Sequence, residues 1–292
     1  MLNILTLTEN KKTIAITFDV EEWFQVENLR SKYPPELWDE CEIRVHTPLT
    51  KILDLLDKHD VKATFFVLGW VAERVPNIVL EIHERGHEIA SHGYWHIMNN
   101  KLSTEKIVED LRKSKNLLES ITGAEVLGYR APSFSINDKV IQLLREEGYV
   151  YDSSYHPFTA NRRYGRLEIQ SFKDYFLLPN GLVEFPLPVL RKYNFEIPIA
   201  GGGYFRLYPL AFYKLFLESY LKEHQLFVSY FHPWEFDPEQ PIVRGIRIDN
   251  KFRHYVGIRN ALSKFERFLV FVKERYHVVT LGSLASIFGG KG

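Results

Sequence analysis

TIAITFDVEE, residues 13–22, is rich in β-branched residues and ends in a run of acids, the pattern of a strand that carries carboxylates at its C-terminal tip. Beyond it, helical and extended patterns alternate along the chain. TPLTKILDLLDKHD (47–60) has Leu49, Ile52, Leu53, Leu55 and Leu56 as a helical stripe. KATFFVLG (62–69) reads as a strand, VAERVPNIVLEIHERG (71–86) as a helix stopped at Gly86, and HEIASHG (87–93) as a third strand. Further helices are expected at 103–123, capped by Ser103 or Thr104 and closed at Gly123, and at 136–148, 209–224 and 257–276. EVLGYRAP (125–132), YVYDSS (149–154), LVEFPLP (182–188), LFVSYFH (226–232) and HVVTLG (277–282) complete the strands.

Strands alternating with helices imply parallel pairing through crossover helices, an α/β fold. Seven or eight such units at this length point to a distorted (β/α) barrel rather than an open sheet. Residues of about 158–203 break the rhythm with Gly, Pro and aromatics, and read as an insertion walling a cleft. Without a linker or a repeat, the expectation is one catalytic domain over 1–292.

Bulk composition narrows the function. The 37 basic residues balance the 37 acidic ones, so no electrostatic footprint for nucleic acid is present. Cys41 is the single cysteine, which excludes an internal disulfide and a thiolate metal cluster. No apolar run approaches a membrane span, and the first residues lack the pattern of a secretory signal. A soluble, cytoplasmic protein is the expectation.

In a parallel barrel the chemistry sits at the C-terminal strand ends. Here those ends carry Asp19, Glu21 and Glu22, then His92 and His96, Arg130, Asp152 and His232. Two histidines four apart reach one cation if residues 92–96 turn helically, and with a carboxylate they leave positions open for water and substrate. A metal-dependent hydrolase needs one carboxylate on the metal and one free to take a proton from water. Asp19 and Glu21 share a strand face and can divide that work, and Glu22 can substitute where strand geometry breaks. His232 suits a general acid, and Arg130 can grip the base through a bidentate contact.

Trp23, Trp95 and Trp234 flank these residues and suit either a sugar or simple packing of the barrel mouth. GGGYFRL (201–207) permits positive φ and close approach of another chain, without a phosphate-loop pattern. It reads as a loop shaping the substrate site, with Arg206 free to meet an anionic group of the substrate.

Taken in order, TFDVEEWF (17–24), SHGYWH (91–96), GYRAPSFS (128–135), YDSS (151–154) and SYFHPWE (229–235) resemble the polysaccharide deacetylase family, the metal-dependent carbohydrate esterases of family four. The resemblance spans residues 17–235. It implies a distorted barrel, a divalent metal ion, most often zinc, and removal of N-acetyl groups from an amino sugar. By position it makes Asp19 the base, His92 and His96 metal ligands, Arg130 the residue steadying the base, and His232 the acid. Asp152 falls near the aspartate that orients that histidine, although the fourth motif lacks its tryptophan. Many members have adjacent aspartates in the first motif, whereas Asp19-Val20-Glu21-Glu22 resembles the branch with a one-residue gap, favouring Glu21 as ligand and keeping Glu22 in play. FDVEEWFQVE, GGGYFRL and FHPWEF resemble the subgroup associated with bacterial exopolysaccharide biosynthesis. That subgroup implies an N-acetylated glycan or lipid-linked precursor as partner, with peripheral association to membrane-bound assembly machinery. Two rival readings are an allantoinase-like cyclic amide hydrolase, whose relatives share an HGYxH-type motif, and a catalytically silent carbohydrate-binding component.

Overall fold

The computed structural model describes residues 11–158, 164–168, 171, 173–192 and 195–289. In chain order it runs β1 (Thr13–Val20), α1 (His46–Lys58), β2 (Thr64–Val67), α2 (Gly69–Arg74), α3 (Pro76–Glu84), β3 (Glu88–Ser91), α4 (Thr104–Thr122), β4 (Gly128–Tyr129), α5 (Asp138–Glu146) and β5 (Tyr151–Asp152). Then come β6 (Phe176–Leu177), β7 (Val183–Glu184), β8 (Val189–Lys192), β9 (Phe195–Pro198), α6 (Gly202–Leu207), α7 (Leu210–Leu221), β10 (Leu226–Phe231), α8 (Ile248–Tyr255), α9 (Ala261–Arg275), β11 (His277–Val279) and α10 (Leu281–Gly289).

The main sheet has the order β10-β1-β2-β3-β4-β5-β7-β6, with β11 beside the first half of β1. Every pairing is parallel except β6 with β7. The sheet curls into the distorted barrel expected of the alternation, and a single bridge joins Gly201 to Tyr230 of β10. Residues on both sides of the chain's midpoint share this sheet, because β10 and β11 both pair with β1. β8 and β9 form a separate antiparallel hairpin, which lies with β6 and β7 in the irregular segment before residue 203.

Alternation along β1 sorts its side chains between two cores. Ile14, Ile16, Phe18 and Val20 face the helices, where Phe18 stacks on Phe65 at 4.9 Å between ring centroids. Ala15 joins Phe66, Ala90, Tyr151, Val183 and Val228 in the barrel interior. Each such ring or branched side chain removed from water contributes about 1.5–3 kcal/mol. The interior is apolar at its N-terminal end only. Leu281, Leu284 and Ala285 of α10 plug that end, and half-buried Glu88 accepts from Thr64 Oγ1 (2.6 Å), Tyr151 Oη (2.7 Å) and the Gly282 N–H (2.9 Å) at the start of α10. The opposite end carries the polar residues.

Five expected elements differ for local reasons. The 71–86 helix is two helices, because Pro76 cannot continue α2 and Val75 leaves the helical region (φ −133°, ψ 58°). GGGYFRL, expected as a loop, forms α6. The strands at 125–132, 149–154 and 182–188 shrink to two residues each, because the ladder between these neighbours is only that long.

Candidate functional site

The residues expected to carry the chemistry lie at or just past the C-terminal ends of the strands of the curled sheet. β1 delivers Asp19 and then Glu21, β3 leads into His92, β4 into Arg130, and β10 into His232. All five are buried or nearly so.

Glu21, His92 and His96 each offer a ligand atom, and the three atoms lie within 4.8 Å of one another. Glu21 Oε2 is buried, stands 2.8 Å from His96 Nε2, and has no well-directed hydrogen bond. His92 Nδ1 lies 2.8 Å from the Arg130 carbonyl, which fixes its N–H there and leaves Nε2 for a ligand. Burial, more than the neighbouring charges, pushes the His92 pKa down to about 4, so its imidazole is neutral, as ligation requires. Burial opposes ionisation of Glu21, yet the charge and hydrogen bond of His96 outweigh it and hold the carboxyl well below the usual range. One carboxylate and two imidazoles fit a divalent cation with bond lengths of about 2.0–2.2 Å and open positions for other ligands.

The imidazoles do not approach through a helical turn. Gly93 (φ +72°) and His96 (φ +49°) both adopt left-handed backbone, and the loop is clamped by α4. There, Asp110 accepts from the N–H groups of Tyr94 (2.8 Å) and Trp95 (3.1 Å), and a Cβ at Gly93 would lie 2.7 Å from Asp110 Oδ2. Asp110 carries no sequence signal of this role, since nothing in a helix-surface acid reveals which loop it will cap.

Glu22 points elsewhere. Its Oε1 accepts from the N–H groups of Arg44 (2.6 Å) and Val45 (2.8 Å), just before α1, a carboxylate at a helix N-terminus. Burial outweighs those hydrogen bonds and raises its pKa to about 7.

Arg130 is fully buried, with its guanidinium 4.0 Å from the Phe66 ring. Nη1 donates to Asp19 Oδ1 (2.7 Å) and to Thr17 Oγ1 (2.7 Å), Nε to the Ser153 carbonyl (2.9 Å), and Nη2 to Ser153 Oγ (2.9 Å). Asp19 is therefore gripped by one nitrogen rather than bidentately, and its Oδ2 lies 3.9 Å from His232 Nε2. The adjoining loop holds Ser133 and Phe134 at positive φ (52° and 57°), non-glycine conformations that cost energy and cluster at functional sites.

The structure does not bring Asp152 to His232. Asp152 accepts from Ser154 Oγ (2.6 Å) and the Ser154 N–H (3.1 Å), and it faces Glu184 across the β5–β7 pair. Both carboxyls are buried, and burial raises both pKa values, that of Glu184 far more because of the neighbouring Asp152. Asp152 thus supports the loop behind Arg130, because Ser154 Oγ also accepts from the Ala131 N–H (2.7 Å).

The carboxylate on His232 is instead Glu235, three residues on. Glu235 Oε2 lies 3.2 Å from His232 Nδ1 and accepts from the His232 N–H at 2.9 Å. Burial opposes a charged imidazole, but the bond to Glu235 and the charges of Glu235, Glu21 and Asp19 raise the His232 pKa to about 9. Arg206, expected to meet a substrate anion, is buried and donates from Nε to Glu235 Oε1 (3.0 Å). Its remaining N–H groups donate to the carbonyls of Arg253, His254 and Val256 at the end of α8. Gly202 leaves the room: a Cβ there would sit 1.8 Å from Glu235 Oε2. None of the three successive glycines has positive φ; close approach, to Tyr230 at Gly201 and to Glu235 at Gly202, explains the first two, and nothing in the structure explains Gly203. Of the flanking tryptophans, Trp23 and Trp234 are buried and Trp95 is exposed.

Residues 6–151 match the model of the polysaccharide deacetylase family, and residues 153–280 match a domain of unknown function, DUF3473. The chain is 32% identical over 140 residues to a peptidoglycan-N-acetylglucosamine deacetylase of Bacillus cereus, covering 48% of this chain and 55% of that protein. It is 36% identical over 106 residues to a peptidoglycan deacetylase-like protein of Gibberella zeae, covering 36% of this chain and 31% of the relative. The chain thus spans about half, or less, of the curated relatives it matches. A crystal structure from Mycobacterium smegmatis, of a protein assigned by name only to the polysaccharide deacetylases, superposes with a TM-score of 0.68 at 21% identity, covering 97% of this chain and 92% of that one.

Proposed function

The chain belongs to the polysaccharide deacetylase family, and from that premise we propose that it is a metal-dependent hydrolase removing N-acetyl groups from an amino sugar in a polysaccharide or its lipid-linked precursor. The observation that carries the reading is the convergence of Glu21, His92 and His96 within 4.8 Å, beside Asp19 and His232. Neither a sugar-binding module nor a scaffold has use for a ligand set next to both a proton acceptor and a proton donor.

Glu21, His92 and His96 would hold a divalent cation, zinc by the character of those donors, which when bound would supply Lewis acidity toward the acetamide carbonyl and lower the pKa of water. Asp19 takes the water's proton through Oδ2, the oxygen that Arg130 leaves free. Arg130 holds Asp19 in place by a charge-assisted hydrogen bond within a buried setting. His232 Nε2 gives a proton to the departing amine, without which an amide nitrogen leaves poorly. Glu235 holds Nδ1–H of that ring and so sets its tautomer and aim.

Residues from both matched segments enter this scheme: Asp19, Glu21, His92, His96 and Arg130 from the first, His232, Glu235 and Arg206 from the second. That is why we read 1–292 as one catalytic unit. Exposed Trp95 supports a sugar as substrate, and the exopolysaccharide setting and cytoplasmic location rest on the motif resemblance. The test is acetate release from N-acetylglucosamine oligomers by zinc-loaded protein, run beside ring opening of small ureides. Acetate release with inert ureides is expected. Ureide opening alone would move the chain to cyclic amide hydrolysis, and glycan binding without either reaction would make it a silent binding component.

A further inference from the structure

The site leaves one conspicuous segment unused: IVRGIRIDNKFR, residues 242–253. Ile242, Ile248 and Phe252 are 69%, 86% and 56% exposed, within eleven residues of one another. Single exposed apolar side chains are ordinary on a soluble protein, but three so close together are not.

Looseness does not explain them. The inner face of α8 is anchored by buried His254, which stacks flat on Trp234 at 4.4 Å and lies 2.7 Å from Gln240 Oε1 through Nε2. Tyr255 Oη donates to the Pro241 carbonyl (2.7 Å) and accepts from the Val243 N–H (2.8 Å), tying both ends of the segment down. On the outer face Ile248 and Phe252 stand one turn apart, flanked by the Arg247–Lys251 row on one side and Arg253 on the other.

The charge is as one-sided as the apolar stripe. Arg247 is paired with Asp249 at 3.1 Å, whereas Arg244, Lys251, Arg253 and neighbouring Lys32 have no ion-pair partner among the described residues. A chain whose formal charge is zero has concentrated uncompensated cations around three protruding apolar groups.

We infer that this surface docks on a bilayer rich in anionic headgroups, with Ile242, Ile248 and Phe252 entering the interface and the cations meeting phosphates. A protein partner would need a shape complementary to an exposed helix, and nucleic acid has no use for branched aliphatics. A bilayer interface accepts both features without a preformed partner surface. Because α8 rests on Trp234 and its end carbonyls hold Arg206, docking would set the candidate site about a helix diameter from the headgroups.

The experiment needs no substrate, so its failure is separable from failure of the deacetylase reading. The whole chain is floated with phosphatidylcholine vesicles, with and without phosphatidylglycerol, at low and high salt. Binding to the phosphatidylglycerol vesicles at low salt is expected, weaker by at least about tenfold on phosphatidylcholine alone and at high salt. The pairs I248D/F252D and R244E/K251E should each lower partitioning by at least about tenfold while leaving the melting temperature unchanged, since all four side chains are exposed. No binding to anionic vesicles, or equal binding by the variants, overturns the inference. So does a lipid-free dimer of the wild type that I248D abolishes, which would make the surface a self-association site.

Discussion

Replacing Gly202 by alanine should cost the protein both stability and its proton donor's alignment, while the same change at Gly203 should do neither. At Gly202 the added Cβ would lie 1.8 Å from Glu235 Oε2 and 2.5 Å from its Cδ; at Gly203 it would meet nothing within 4 Å. Carbon and oxygen rest no closer than about 3.3 Å, so Oε2 must retreat by about 1.5 Å. That oxygen holds both the N–H and Nδ1 of His232, and its carboxylate partner Oε1 holds Arg206. Glu235 and Arg206 are buried and His232 is largely so, which leaves little room for water to replace what is lost. Losing one charge-assisted bond costs about 1.5–3 kcal/mol, and separating a buried pair about 3–5. A net loss of about 2–4 kcal/mol is the expectation for Gly202→Ala. Gly203→Ala should gain a few tenths to about 1 kcal/mol through the unfolded state. Thermal unfolding then separates the two variants by roughly 5–10 °C, and acetate release should fall about a hundredfold in Gly202→Ala alone. Two variants melting at the same temperature would refute the assigned contact, and with it the account of why position 202 is a glycine.

The same geometry fixes other outcomes. Glu21→Ala should abolish bound metal by elemental analysis with a modest change in melting. Glu22→Ala should leave metal content intact yet lose about 1–3 kcal/mol, because two N–H groups before α1 lose their acceptor. Asp19→Asn should keep the metal and lose acetate release; loss of metal in that variant would overturn the division of roles. His156 is buried with neither ring nitrogen hydrogen-bonded, stacked on Tyr164 at 4.4 Å. Burial, aided by the charge of Arg130 against that of Glu196, lowers its pKa to about 3. Because the folded value lies below the unfolded one, the unfolded state takes up the proton first, and stability falls as pH drops below about 6.5. His156→Phe should therefore gain about 2 kcal/mol over the native chain at pH 5 relative to pH 7, measured by denaturant unfolding at both values.

How much of this is legible in advance depends on whether the signal is local. Strand-end positions of Asp19, His92, Arg130 and His232 are set by patterning over a few residues, and the sheet keeps them together. Partner assignments are not local. Asp152 has the motif position of an orienting acid, but its pairing with Glu184 is decided by which strand lies beside β5. Glu235 lies inside the last motif without declaring its role, because a 3₁₀ turn over Pro233–Phe236 is needed to fold it back on His232. Arg206 has the look of a surface cation until the end of α8, a helix that patterning does not announce, supplies its carbonyl cage. The helix at 281–289 hides behind the apolar run ending β11, and its stopper role depends on Glu88, nearly two hundred residues earlier.

The split between Glu21 and Glu22 makes their junction unusually unforgiving of insertions and deletions. Consecutive side chains leave the backbone in opposite directions, so one faces the imidazoles while the other braces the first helix. Slipping the register by a single position would present each carboxylate to the wrong clientele. Anchorage of a helix and capture of an ion would then be forfeited at one stroke, so natural length variation should be sought anywhere in this chain before it is sought between Val20 and Trp23.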